Sequence, residues 1–243
     1  MLTEILLAII QAVTEFFPIS SSGHLALISN LISKPDLFFF TALHLSSLIA
    51  VLIFTRKEIS NLLSFKKEYR KIWLYLIIAT IPAGIVGFFL ENIVESSLSS
   101  FLFLGIAFIF TGVVLFLTKF TKVYSKLNWK NSLFIGLFQA VSVFPGVSRS
   151  GMTISSSMFS GIEKEKAAKF SFLLFIPLSL GAFILELKNF YFSFSLLISF
   201  FVCLILSLIF LNLLVLIIRK NYFWLFSLYC LILGIISLIL YFR

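Results

Sequence analysis

QAVTEFFPISSSGH at residues 11–24 and QAVSVFPGVSRSGMT at residues 139–153 are two versions of one phrase, set about 128 residues apart in an oily chain. Gln-Ala-Val-Thr/Ser and Ser-x-Ser-Gly recur in register, with Phe-Pro between them one place earlier in the second copy and Gly146 after that proline. Any membrane protein repeats its oil by chance. Here the repeated part is polar and broken by proline and glycine, which is hard to explain without a site. Matched interruptions in two halves of a membrane chain point to binding near the midplane.

The rest of the chain fits that reading. Mean hydropathy is +1.13. Hydrophobic residues make up 60% of the 243 and charged residues 12%, about half the charged share of a soluble domain. One globular core cannot hide that much apolar surface, so the sequence implies an integral membrane protein. The 32 phenylalanines are read as compositional bias. Cys203 and Cys230 both lie in apolar runs, as buried free thiols do. No basic segment precedes the first apolar stretch, so no cleaved signal peptide is expected.

A net charge of +9 raises the question of nucleic acid, but its positions answer it. Lysine and arginine cluster at 56–71, 119–130, 164–169 and 219–220, between apolar runs. This is the bias of cytoplasmic loops, not a polyanion-binding patch. Apolar segments near 37–55, 72–90, 101–118, 167–187, 193–218 and 222–242 are each long enough to span. With 56–71 and 119–130 inside, the loop holding Glu91 and Glu95 falls outside, and so do 188–192 and both termini. Residues 131–162 then begin and end on the cytoplasmic face, so they should dip in and return. Residues 1–30 should do the same from the opposite face. The expected fold is therefore all-α: six transmembrane helices plus two re-entrant helix–loop–helix hairpins. It forms one membrane domain of two inverted repeats, 1–118 and 131–243, the family of designs described for transporters.

Within the phrases, Gln11 and Glu15 sit one helical turn apart. A carboxylate at membrane depth costs at least ~2.5 kcal/mol, so it is expected only with a partner or a function. It is a divalent-cation ligand or a base, unless it sits at the interface, solvated. Ser20, Ser21 and Ser22 with Gly23 form a hydroxyl-rich turn that suits an anion. Ser21 with His24 three residues on suits a nucleophile and its base, although serine is also a common packing residue in membrane helices. Arg149, flanked by Ser148 and Ser150, is the one arginine outside the loops and the C-terminus. Its planar fork matches phosphate, and the plainer alternative is a salt bridge to Glu15. Thr153 adds a hydroxyl one turn on. Gln139 repeats Gln11, while Val143 stands where the first copy has Glu15. His44, in the first span, is read as a helix-packing histidine.

These residues resemble the undecaprenyl-diphosphate phosphatase family, the bacitracin-resistance type of bacterial membrane phosphatase. That family shows Glu/Gln-x-x-x-Glu and then Pro-x-Ser-Ser-x-Gly-His, here Gln11, Glu15, Pro18, Ser20, Ser21, Gly23 and His24. Its second signature, Pro-Gly-x-Ser-Arg-Ser-Gly-x-Thr, appears as Pro145, Gly146, Ser148, Arg149, Ser150, Gly151 and Thr153. ATIPAGIVG at 79–87 and FSFLLFIP at 170–177 extend the likeness along the chain. Tyr229-Cys230 departs from a Tyr-Arg that the family often has.

The resemblance implies hydrolysis of undecaprenyl diphosphate to the monophosphate carrier lipid for peptidoglycan synthesis, in the bacterial cell membrane. It also implies an outward-facing site and Mg²⁺ or Ca²⁺. On that basis Ser21 is expected as nucleophile with His24 as its acid or base, and direct attack by His24 as the alternative. Glu15 and Gln11 orient the metal or the serine. Arg149, Ser148, Ser150, Thr153, Ser20 and Gly146 bind substrate. The expected partners are the lipid and the bilayer, with room left for a homodimer. A type-2 phosphatidic acid phosphatase needs a histidine six residues after its arginine, where this chain has Ser155. A lipid-phosphate transporter would need the phosphate site but neither nucleophile nor base.

Overall fold

A computed structural model describes residues 1–31, 37–64, 66–186 and 192–243. Among them are twelve α-helices and no strand: α1 (Leu2–Phe16), α2 (Ser21–Leu31), α3 (Leu37–Phe54), α4 (Arg56–Leu63), α5 (Lys67–Phe89) and α6 (Glu91–Ser97), then α7 (Phe101–Leu117), α8 (Trp129–Val141), α9 (Arg149–Phe159), α10 (Lys164–Glu186), α11 (Phe194–Arg219) and α12 (Phe226–Tyr241). Five stretches are long and apolar enough to cross a membrane: Tyr69–Phe89, Phe101–Phe120, Lys164–Leu185, Phe194–Arg219 and Phe223–Tyr241. Phe38–Phe54 makes a sixth when taken with α4, which bends away from it by 72°. These are the six segments expected from hydropathy. The outer turn expected at 188–192 lies almost wholly outside the described residues.

The outward faces are as oily as the core. Ile77, Ile81 and Ile85 on α5, Ile205 and Ile209 on α11, and Ile232 and Ile239 on α12 are all exposed. In water such ridges would be a liability. Against acyl chains they are the expected surface, so the chain is a polytopic membrane protein.

The two repeated phrases fold as two helical hairpins. α1 has 15 residues and α8 has 13, about 20 Å at 1.5 Å per residue. That is short of the ~30 Å hydrocarbon core. α2 and α9, with 11 residues each, are shorter still. The breaks fall where the sequence places them. Phe17 is extended, Pro18 follows, and Ser20 takes a left-handed φ of 68°. In the second hairpin the chain turns at Ser142–Ser148, with Gly146 at φ 89°. Asn128 Oδ1 caps the start of α8, accepting from Lys130 N and Asn131 N.

Packing between the halves is reciprocal. α1 lies on α11 while α8 lies on α5; α3 packs on α10, and α7 on α12. Gly105 and Gly234 let α7 and α12 approach until a Cβ on either would sit about 3 Å from the other's backbone oxygen, the close small-residue contact of membrane helices.

One local expectation changes. Residues 56–63, polar enough to read as loop, form the helix α4, with Leu62 buried and Arg56 and Lys57 exposed. Glu58 ties α4 to Lys169 of α10 at 2.6 Å.

Candidate active site

Each hairpin turn starts its second helix in the same way. Ser20 Oγ accepts from Gly23 N at 3.2 Å, and Ser148 Oγ accepts from Gly151 N at 3.1 Å. The next residue of each turn, Ser21 in one and Arg149 in the other, faces the shared space between the hairpins. The hairpins cross at two glycines: a Cβ on Gly23 would lie 2.8 Å from Gly146 Cα. Ser20 Oγ also accepts from Gly146 N at 3.1 Å, joining the turns directly. Thr111 of α7 braces the second turn, donating to Gly146 O and accepting from Ser148 N.

Glu15 is the hub. Arg149 Nη2 donates to its Oε1 at 2.5 Å, so the salt bridge weighed from sequence does form. Its Oε2 accepts from Ser21 Oγ at 2.6 Å and from Gln11 Nε2 at 2.8 Å. His44 Nδ1 lies 3.3 Å from the same oxygen and 3.1 Å from Gln11 Nε2. Among the described residues Glu15 is the hydrogen-bond partner of the Arg149 side chain, and one prong alone is used. The other guanidinium donors make no hydrogen bond among the described residues, and Arg149 lines a cavity. Phe175 lies under the guanidinium, 3.9 Å from Cζ to ring centroid, a cation–π contact that fixes its plane.

This cluster forms the floor of a cavity of about 670 Å³. Glu15, Ser20, Ser21, Ser22, Ser148 and Arg149 line its polar end. Val143, Phe88, Leu178, Ala182 and Leu185 form an apolar wall, and Glu91, where α5 meets α6, also lines the cavity. A polar floor with an apolar wall suits an anionic head on a greasy tail.

Not every expected residue faces this cavity. His24 does not line it: its Nδ1 is 2.7 Å from Ser20 O and its Nε2 2.7 Å from Tyr229 Oη. Both ring nitrogens are occupied, one by the turn's own Ser20 carbonyl and one by Tyr229 of α12, so His24 is not placed as the base for Ser21. Thr153 Oγ1 turns to Arg149 O and to Ser171 Oγ on α10. Ser150 Oγ pairs with Ser148 Oγ and reaches towards Phe17 O. Gly146 is closed in by Ala107, where a Cβ would approach to 2.7 Å. These three shape the turn rather than line the cavity. His44, read as a packing residue, does line it. The signal for His44 was a lone imidazole in an apolar span, which needs a partner. Phe175 was visible only as part of FSFLLFIP.

Among the described residues no three His, Cys, Asp or Glu side chains converge as a metal cluster. The hard oxygens on offer are the Glu15 carboxylate and Gln11 Oε1, which is buried with no hydrogen-bond partner. Gln11 itself is fully buried and does not line the cavity. Its orphaned acceptor beside the Glu15 carboxylate is the donor chemistry a divalent cation uses, and Glu15 is the member of the pair that faces the space where water and phosphate oxygens would complete the shell.

Comparison with known proteins gives one answer. A family model described as bacitracin resistance protein BacA matches residues 4–236. A protein of Thermosipho melanesiensis named undecaprenyl-diphosphatase is 43% identical over 249 residues, covering 98% of both chains. A protein of the same name from Thermosipho africanus is 40% identical, covering 97% of this chain and 98% of its own. Another from Methanococcus vannielii is 42% identical over 76% of this chain.

Proposed function

The chain belongs to the bacitracin resistance protein BacA family, and from that membership we propose that it hydrolyses undecaprenyl diphosphate to undecaprenyl phosphate and inorganic phosphate. The observation that carries this reading is the Ser21–Glu15–Arg149 chain of contacts at the floor of the cavity. A transporter needs the arginine but not a serine hydroxyl 2.6 Å from a buried carboxylate.

The diphosphate lies on the cavity floor with its terminal phosphate against the free donors of Arg149 and the isoprenoid tail along Phe88, Ala182 and Leu185. Gln11 and His44 hold the Glu15 carboxylate towards Ser21. Glu15 takes the Ser21 proton as Oγ attacks the terminal phosphorus. The bond from that phosphorus to the bridging oxygen breaks, and the bridging oxygen keeps the electron pair. The proton passes from Glu15 to the departing lipid phosphate. Water then attacks the phosphoserine, giving its proton through Glu15 to the leaving Ser21 oxygen and releasing inorganic phosphate. Arg149 neutralises charge on the transferring group in both halves, which is most of what phosphoryl transfer asks of a protein. Glu15 and Gln11 would be the residues to hold an Mg²⁺ or Ca²⁺, which would supply further charge neutralisation when bound.

Residues 1–118 and 131–243 are the two inverted repeats, and each hairpin re-enters from its own face. Supporting this are the hairpin helices too short to span and the reciprocal packing of α1 on α11 and α8 on α5. The cavity opens on the outer side, where spent carrier lipid is presented; supporting this, Glu91 lines it and the basic loops belong to the opposite face. Returning that lipid to peptidoglycan synthesis would also confer resistance to bacitracin.

Purified protein in detergent is expected to release one phosphate per polyprenyl diphosphate, leaving the lipid monophosphate. A chelator should stop release, and Mg²⁺ or Ca²⁺ should restore it. Wild-type protein that binds the lipid yet releases no phosphate under any metal condition would rule the hydrolase reading out. Undiminished release with chelator would remove the cation alone.

A further inference from the structure

Ser20, the residue before Ser21, holds one of two left-handed non-glycine conformations among the described residues. Such a conformation is strained and persists only where its surroundings impose it. Here they do. Ser20 Oγ is held by Gly23 N and Gly146 N. Its carbonyl accepts from His24 N at 3.2 Å and meets His24 Nδ1 at 2.7 Å.

A carbonyl oxygen can only accept, so Nδ1 carries the proton of this contact. In the neutral ring Nε2 is then the lone pair, and Tyr229 Oη donates to it at 2.7 Å. The two rings stack, 5.6 Å between centroids and 10° from parallel. Phe108 closes the other side edge-on at 5.5 Å. His24 is 8% exposed.

We infer that His24 and Tyr229 are a positioning pair: Tyr229, on the last helix, fixes the His24 tautomer that clamps the Ser20 carbonyl and aims Ser21 at Glu15. This rests on the reading of Ser21 as nucleophile. The reacting phosphate meets neither ring. Both act through the backbone of Ser20, where an error of about 1 Å in the aim of Ser21 costs on the order of 10²-fold in rate.

The test compares His24→Ala, His24→Asn and Tyr229→Phe in the full-length protein, reading kcat and KM separately. An asparagine amide can stand where Nδ1 stood and keep the bond to Ser20 O, but it offers neither a base nor a nucleophile. His24→Ala should lose about 10²-fold in kcat with KM little changed. His24→Asn should recover to within about tenfold of wild type. Tyr229→Phe should lose kcat without loss in KM, by about one order of magnitude, the lower end of what a supporting hydrogen bond carries. His24→Asn as inactive as His24→Ala, with both proteins folded and binding substrate, overturns the inference. So does Tyr229→Phe with unchanged kcat, which decides alone if the His24 variants do not fold, since it removes one hydroxyl from a half-exposed side chain. A Ser21→Ala protein that keeps its turnover would instead overturn the nucleophile reading.

Discussion

Arg149→Ala is expected to abolish diphosphate hydrolysis, with a loss of about 10³-fold or more in kcat, the scale of an arginine that neutralises a transferring phosphoryl group. The geometry explains why the loss should be so large. Arg149 spends one prong on Glu15 and lies on Phe175. Its remaining donors therefore face the cavity in a fixed plane. The substitution acts twice, because it also leaves the Glu15 carboxylate buried beside Ser21 without its cation. Breaking a buried pair in this way typically costs about 3–5 kcal/mol, so the variant's thermal stability in detergent should be measured beside its turnover. Arg149→Lys separates the two effects. It restores a charge near Glu15, and with it much of the stability, but not the planar fork. Its turnover should remain far below wild type. Near-wild-type hydrolysis by Arg149→Lys would mean that charge alone suffices.

Ser21→Ala should be as inactive, by on the order of 10⁴-fold or more if the hydroxyl is the nucleophile, yet for a different reason. It removes one oxygen and no charge, so the phosphate site stays intact and substrate binding should stay within a few fold of wild type. Lipid binding and phosphate release measured on the same preparation distinguish this from misfolding. Direct attack by His24 makes the opposite forecast: appreciable turnover in Ser21→Ala and none in His24→Asn. The engagement of both His24 nitrogens argues against that route.

Much of this arrangement is legible in the sequence because a bilayer penalises unexplained polarity. Glu15 and Arg149 are expensive at depth, so each predicts a partner, and the duplicated phrase predicts that the partner lies in the other copy. The spans are legible for the same reason, since a helix between lipids has no polar face to blur its ends. The exchanged roles of the two histidines are not legible. His24 stands three residues after Ser21, which suggests a shared face. Its direction is set by the left-handed Ser20 and by the crossing of the hairpins, neither of which leaves a trace in residue spacing. His44 reaches Gln11 only because α3 folds back on α1, and a single imidazole in an apolar run does not say which helix it will meet. The motif letters carry a related ambiguity. Ser148 lines the cavity, whereas Ser150 and Thr153 tie α9 to its neighbours. Residues that shape a turn and residues that face a ligand sit in the same short phrase, and only the backbone path separates them. Residues 56–63 were obscured differently: charge hid an amphipathic helix that buries little more than Leu62.

The central claim is that the two hairpins build one phosphoryl-transfer site, with Ser21 as the nucleophile and Glu15 and Arg149 converging on it. The most direct measurement uses polyprenyl diphosphate labelled in its terminal phosphate. The protein is denatured in acid during turnover, and the bound label is mapped to a peptide. The expected result is acid-stable label on Ser21, absent from the Ser21→Ala protein and reduced with Arg149→Ala. Label that is acid-labile and maps to a histidine, or steady turnover with no label on any peptide, would contradict it.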